Sequence, residues 1–199
     1  SSVEVRTGMT ILGEEGTVVK RPPMQGKWCR TFYMHYVGDT DSTPLVIRDM
    51  TIDGNSQNQG PYKRYELEQA HLVFFCGIVE GHNDDAPKGR VRGAAENLKL
   101  SNCVGDGVSI YSNCDVGVYN ITAVDVFRGG LVITGGNTRV RASHIVTQAG
   151  EMDDAGGLDI EVDGPGYGGT LFVDVEIHQF HAESGDFDVL MPDGGIARF

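Results

Sequence analysis

Residues 96–134 read ENLKLSNCVGDGVSIYSNCDVGVYNITAVDVFRGGLVIT, and within them one pattern occurs twice. Glu96-Asn97-Leu98-Lys99-Leu100 returns as Tyr119-Asn120-Ile121-Thr122-Ala123, and Gly107-Val108-Ser109-Ile110-Tyr111 returns as Gly130-Leu131-Val132-Ile133-Thr134. Downstream, the first series continues at Ser143-His144-Ile145-Val146-Thr147 and Val173-Asp174-Val175-Glu176-Ile177. Its anchors Leu98, Ile121, Ile145 and Val175 lie 23, 24 and 30 residues apart. The second series continues at Gly157-Leu158-Asp159-Ile160-Glu161 and Asp186-Phe187-Asp188-Val189-Leu190, with anchors Val108, Leu131, Leu158 and Phe187 separated by 23, 27 and 29 residues. Two strand series running in step are the mark of a repeat architecture, in which one unit buries its apolar face only by stacking on the next.

Period-2 alternation assigns the faces. Val108/Ile110, Leu131/Ile133, Leu158/Ile160 and Phe187/Val189 point inward as apolar ladders, each side chain contributing roughly 1.5–3 kcal/mol when fully buried. Helical periodicity longer than about eight residues is absent. The expected fold is all-β, a single-stranded parallel β-helix (solenoid) forming one domain over 1–199. Regular rungs occupy 94–191. Residues 1–93 form irregular rungs, with strands around Met9–Leu12, Thr17–Lys20, Leu45–Asn55 and Leu72–Phe75 and with insertions at 56–69 and 80–92. The 28 glycines are scattered singly and in pairs, as many tight turns require. Bare terminal rungs expose unpaired backbone, and no capping helix is evident. The chain is therefore expected to be a segment of a longer polypeptide, or to have its ends covered by partner subunits.

A net charge of −12 excludes a protein that tracks nucleic acid, because counterion displacement needs Lys and Arg. It also suits a neutral polymer or a locally cationic ligand better than a densely anionic one, and serves solubility. No apolar run approaches the roughly 18 residues of a membrane helix, so no membrane insertion is expected. Cys29, Cys76, Cys103 and Cys114 show no CxxC spacing and are expected as free thiols. His71, His82, His144, His178 and His181 lack metal-ligand spacing and are expected at the surface.

Val46-Ile47-Arg48-Asp49-Met50-Thr51-Ile52-Asp53-Gly54-Asn55, the Gly105-Asp106-Gly107-Val108 turn and Gly157-Leu158-Asp159-Ile160-Glu161 resemble the pectate-lyase-like right-handed parallel β-helix superfamily. Within it, the mix is most similar to the trunk of bacteriophage tailspikes and polysaccharide depolymerases. Right-handedness is also what the crossover rule favours. The resemblance implies a virion-tail protein, a homotrimer, that binds bacterial surface polysaccharide (capsule or O-antigen) and hydrolyses it. The alternatives are a secreted polysaccharide lyase, hydrolase or epimerase, and a non-catalytic adhesive fibre. The polygalacturonase, pectin-lysing and alginate-epimerase signatures are absent, so none of those activities is implied.

Chemistry concentrates in Glu151, Asp153, Asp154, Asp159, Glu161 and Asp163. With Leu158 and Ile160 inward, Asp159 and Glu161 face solvent, and Asp188 stacks on Asp159 one rung later. Neighbours across a ladder are about 4.8 Å apart and i/i+2 neighbours about 6.6 Å. The first lies just below the carboxylate separation of retaining glycosidases (~5–5.5 Å), and the second lies at the lower end of that of inverting ones (~6.5–9.5 Å). The candidate catalytic residues are Asp159, Glu161, Asp188 and Asp154; the competing reading is a solvated acidic face with turn-forming Asp residues. Tyr62, Tyr65, Tyr111 and Asp153 are candidate substrate contacts, since aromatic faces suit sugar C–H surfaces. No cofactor and no metal are assigned, although the 151–154 turn has oxygen ligands for Ca²⁺ without a defined loop spacing. Asn97, Asn120, His144 and Asp174 are expected as an outward structural stack.

Overall fold

A computed structural model describes residues 2–6, 8–25, 29–35, 44–60, 69–77, 90–149, 156–161, 173–184 and 186–190. Among these described residues there are fourteen strands, β1 (Val3–Val5), β2 (Thr10–Leu12), β3 (Val18–Lys20), β4 (Phe32–His35), β5 (Leu45–Asp53), β6 (Val73–Cys76), β7 (Val91–Cys103), β8 (Val108–Tyr111), β9 (Cys114–Val126), β10 (Leu131–Thr134), β11 (Thr138–Ala149), β12 (Gly156–Glu161), β13 (Val173–Ser184) and β14 (Asp186–Leu190). They form two sheets. One contains short strands in the order β1-β4-β6-β8-β10-β12-β14; the other contains the long strands in the order β13-β11-β9-β7-β5, with the three-residue β2 and β3 both on β5. Every pairing is parallel, and from β4 onward the chain crosses to the opposite sheet at each step. The protein is thus all-β with parallel sheets.

The long strands keep one face inward despite their length through a device at their midpoints. In β9, Cys114, Val116 and Val118 are buried, then the parity changes and Ile121 and Ala123 are buried. A one-residue slip in a strand exchanges its faces. Here the slip is absorbed by Asn120, whose φ of 55° places it in the left-handed region. Asp49, Asn97, His144 and Gln179 do the same in β5, β7, β11 and β13, at φ between 52° and 61°. Asn and Asp tolerate this region because their short polar side chains bond locally. The side chains form a ladder: Asn97 Nδ2 donates to Asp49 Oδ1 at 2.7 Å, and Asn120 Nδ2 donates to Asn97 Oδ1 at 2.9 Å.

Three expectations are corrected by this geometry. The equivalent of Ile145 in β13 is Phe180, while Val175 pairs with Val140. The front half of β13 alternates as cleanly as a whole strand, so its spacing alone suggested an anchor one half-strand too early. For the same reason Asp174 does not belong to the outward stack; it pairs with Arg139, and Gln179 takes the position beside His144. The 80–92 insertion also ends sooner, since β7 already begins at Val91. The other ladder stands as expected: Val108, Leu131, Leu158 and Phe187 are register partners, as are Asp159 and Asp188.

Inward residues of both sheets form one apolar cluster that includes Phe75, Ile47, Leu98, Ile121, Ile133 and Leu158. Glycines preceding the short strands let this core close. A Cβ on Gly130 would collide with the Thr147 side chain of β11, and one on Gly157 would approach Thr147 Oγ1 to 2.6 Å and the Ala182 Cβ to 2.7 Å. The recurring Gly-Val and Gly-Leu dipeptides thus mark where a turn crosses close over the opposite sheet. All four cysteines are buried free thiols.

Candidate functional site

Two columns of positions mark the outer face of the short-strand sheet. Parallel register aligns Tyr33, Phe74, Ser109, Val132, Asp159 and Asp188 on β4, β6, β8, β10, β12 and β14. Two residues further along each strand, Cys76, Tyr111, Thr134 and Glu161 align in the same way. Alternation sets both columns opposite the core-facing Val73/Phe75, Val108/Ile110 and Leu131/Ile133 pairs. Asp159 and Glu161 are half-buried and share one face of β12, about 6.6 Å apart along the strand, while the Asp159 and Asp188 positions are about 4.8 Å apart across the ladder.

At the other end of the face the side chains are aromatic. The Phe74 ring stacks between Tyr33, at a centroid distance of 5.6 Å, and Tyr111, at 6.3 Å. The Arg30 guanidinium lies 4.7 Å from the Phe74 centroid and 5.9 Å from that of Tyr33, within cation–π range. Phe74, Cys76, Ser109 and Val132 are buried although they lie outside the core cluster, so the middle of this face is a second packed layer.

Of the residues expected from sequence, Asp159, Glu161 and Tyr111 occur on this one face, and Asp188 occupies the matching position of β14. Asp153, Asp154, Tyr62 and Tyr65 lie outside the described residues, as does the 151–154 turn considered for Ca²⁺. Among the described residues no group of three or more His, Cys, Asp or Glu side chains converges on a metal position. Arg30 and Phe74 were not anticipated. Phe74 sits in the apolar run 72–76, where both faces of the strand are apolar and periodicity cannot separate them.

A second polar cluster lies beneath the turns leading into β6, β8 and β10. His71 Nδ1 and Asp106 Oδ2 are 2.9 Å apart, with side chains 3% and 1% exposed. The Asp106 carboxylate also accepts the Gly129 N–H at 3.2 Å and faces Arg128 Nε at 3.7 Å. Burial pushes this carboxyl up, but the charge and hydrogen bond of His71, with Arg128 and the Gly129 amide, outweigh it and hold it below the usual carboxylate range. His71 is therefore an interior residue, contrary to the surface position expected of it. The flanking apolar run and Gln69, whose Oε1 lies 3.3 Å from His71 Nε2, enclose the ring.

Arg21 is also buried. Its Nη2 donates to the carbonyls of Ala70 and His71 at 2.9 and 2.7 Å, and its Nε donates to Thr31 Oγ1 at 3.1 Å. Cys103 Sγ lies 3.3 Å from the Asp106 carbonyl, and burial pushes its thiol up to about 11. A protonated, enclosed thiol is no nucleophile at neutral pH. Cys103, His71 and Asp106 thus form a structural node that holds the Gly105-Asp106-Gly107 turn.

No family model, no curated protein and no solved structure matches this chain.

Proposed function

We propose that the alternation between two parallel sheets is the coiling of a right-handed parallel β-helix of the tailspike type, and that the outer face of its short-strand sheet binds and hydrolyses a bacterial surface polysaccharide. The observation carrying this reading is that Asp159 and Glu161 share a face with Tyr111 and with the Asp188 position. Glycosidases place one carboxylic acid to protonate the leaving oxygen and a second carboxylate to activate water or to attack the sugar, at separations of about 5–9.5 Å. The backbone spacings on this face fall at that scale. Crowded carboxylates favour one neutral and one ionised group, which is the pairing such catalysis uses. A homotrimer on the virion tail is part of the same proposal, resting on resemblance to tailspikes.

Asp159→Asn and Glu161→Gln test it, because each removes a proton donor or acceptor at nearly constant shape. Release of reducing ends from purified capsule and O-antigen polysaccharides should disappear in both variants, while circular dichroism and glycan binding persist. Full activity in both would eliminate the assignment. A lyase would instead yield unsaturated, ultraviolet-absorbing products.

The buried centre of the face, formed by Phe74, Cys76, Ser109 and Val132, favours a second reading, a non-catalytic adhesive β-helix. It requires glycan binding with no product from any polysaccharide.

A further inference from the structure

The front half of the long-strand sheet, before the left-handed residues, has an outer face of its own. Parallel register sets three columns across β5, β7 and β9 there. The middle column runs Val46, Ala94 and Gly117, opposite in parity to the buried Ile47, Ala95 and Val118. One flanking column holds Arg92 and Asp115; the other holds Arg48, Glu96 and Tyr119. Among the described residues Tyr119 is the one exposed aromatic, at 38%. Its ring reclines along its own strand: a Cβ on Gly117 would strike Tyr119 Cε2 and would approach its Cζ and hydroxyl oxygen to 3.0 Å. The ring thus lies where Gly117 has no side chain, and it continues a low floor formed by the half-buried Val46 and Ala94. Beyond Gly117 the floor is closed by Arg141, whose guanidinium is engaged by Asp174 and Glu176 of β13.

We infer that this trough is a second, separate saccharide site that seats an uncharged pyranose ring on Tyr119; it does not rest on the reading given to the short-strand face. Two features select that ligand class. A tyrosine ring open to solvent offers an apolar body with a polar tip, which suits the C–H side of a sugar and its hydroxyl edge. Each rim also carries both signs, Arg92 beside Asp115 on one and Arg48 beside Glu96 on the other. Carboxylates accept hydrogen bonds and guanidiniums donate them, so a mixed rim matches hydroxyl groups, which do both, better than a ligand of one charge. Arg48 Nε lies 3.6 Å from Asp49 Oδ2, a contact that uses one of its five donors. The rims are four residues apart along a strand, so their backbones are separated by roughly 13 Å, with the floor between them. The Asn97–Asn120 bond ties β7 to β9 immediately after Glu96 and Tyr119, which holds the two sides of the ring in place.

The test is fluorine NMR of the full chain labelled with 3-fluorotyrosine, the Tyr119 resonance being assigned by its loss in Tyr119→Phe. The probes are the methyl glycosides of glucose, galactose, mannose and N-acetylglucosamine, titrated to about 50 mM because one stacked ring supports only millimolar affinity. At least one should shift the Tyr119 resonance saturably. Gly117→Ala supplies the Cβ that lifts the ring, at little cost to the fold because the atoms it strikes are the free end of a side chain. It should weaken binding by about fivefold or more. The Asp159→Asn/Glu161→Gln variant should bind as wild type does; loss of the shift there would place the ligand on the short-strand face and overturn the inference. A Tyr119 resonance unmoved by all the glycosides, or equal affinity in Gly117→Ala, would overturn it too. Should Gly117→Ala not fold, Tyr119→Ala decides by saturation-transfer NMR: sugar signals undiminished in that variant count against the trough.

Discussion

His71 Nδ1 lies 2.9 Å from Asp106 Oδ2, and both side chains are almost wholly enclosed. The contact joins the turn before β6 to the turn before β8, and the Gly129 amide extends it to the turn before β10. Removing one partner of a buried pair leaves an uncompensated charge and costs about 3–5 kcal/mol. Asp106→Ala should therefore lower stability at neutral pH by that order, measured by urea unfolding. The folded carboxyl titrates below the ordinary value of 3.8, so its contribution is fully present above that pH and is lost as pH falls through the lower folded value. Wild type and Asp106→Ala should accordingly differ undiminished from pH 7 to about pH 5. They should converge only below pH 3.8. A difference that vanished near pH 6 would contradict the pairing.

Gly130, in the turn before β10, leaves no room for a Cβ against the Thr147 side chain of β11. Gly130→Ala should cost about 1–3 kcal/mol through overpacking, read as a lower urea midpoint. Thr147→Ser deletes the methyl group that the new Cβ would strike, so the double variant should recover part of the loss. Additive losses in the double variant would show that the clash is relieved elsewhere.

Asn120 holds φ 55° in the middle of β9 and bonds Asn97. An alanine there carries a left-handed penalty of about 1–2 kcal/mol and loses the bond. A glycine keeps the conformation without a Cβ clash. Thermal unfolding should rank wild type above Asn120→Gly, and Asn120→Gly above Asn120→Ala. Equal loss for the two variants would mean that the ladder bond, rather than backbone conformation, is what Asn120 supplies.

The short strands β6, β8, β10, β12 and β14 were legible from their sequence as compact runs behind a turn, whereas β1 and β4 were not among the strands expected. Register at 108, 131, 158 and 187 follows that pattern without exception. The long strands were only half legible. Residues 96–100 and 119–123 were recognised, but the strands extend back to Val91 and Cys114, beyond the left-handed residue that inverts the alternation. A pattern that changes parity halfway looks like a short strand preceded by irregular chain. Where that residue is Gln179 rather than Asn, even the bend carried no compositional mark.

Legibility of the candidate face follows the same division. Asp159 and Glu161 could be placed together because they flank Ile160 on one strand, a relationship that period-2 alternation determines by itself. Tyr111 could be suspected as an aromatic, but its contact with Phe74 depends on the neighbouring strand, 37 residues earlier in the chain.

Sequence alone determined that this protein is all-β, since short alternating apolar runs recur in two series with no helical period between them. It also determined the acidity of the 159–161 stretch. Only tertiary structure decided that His71 is interior, that Asp106 is its partner and that Arg30 lies over Phe74. Burial and charge pairing are properties of residues brought together across tens of positions. In a chain that changes sheet at each step from β4 onward, neighbours in space are set by register between strands, which no local pattern records.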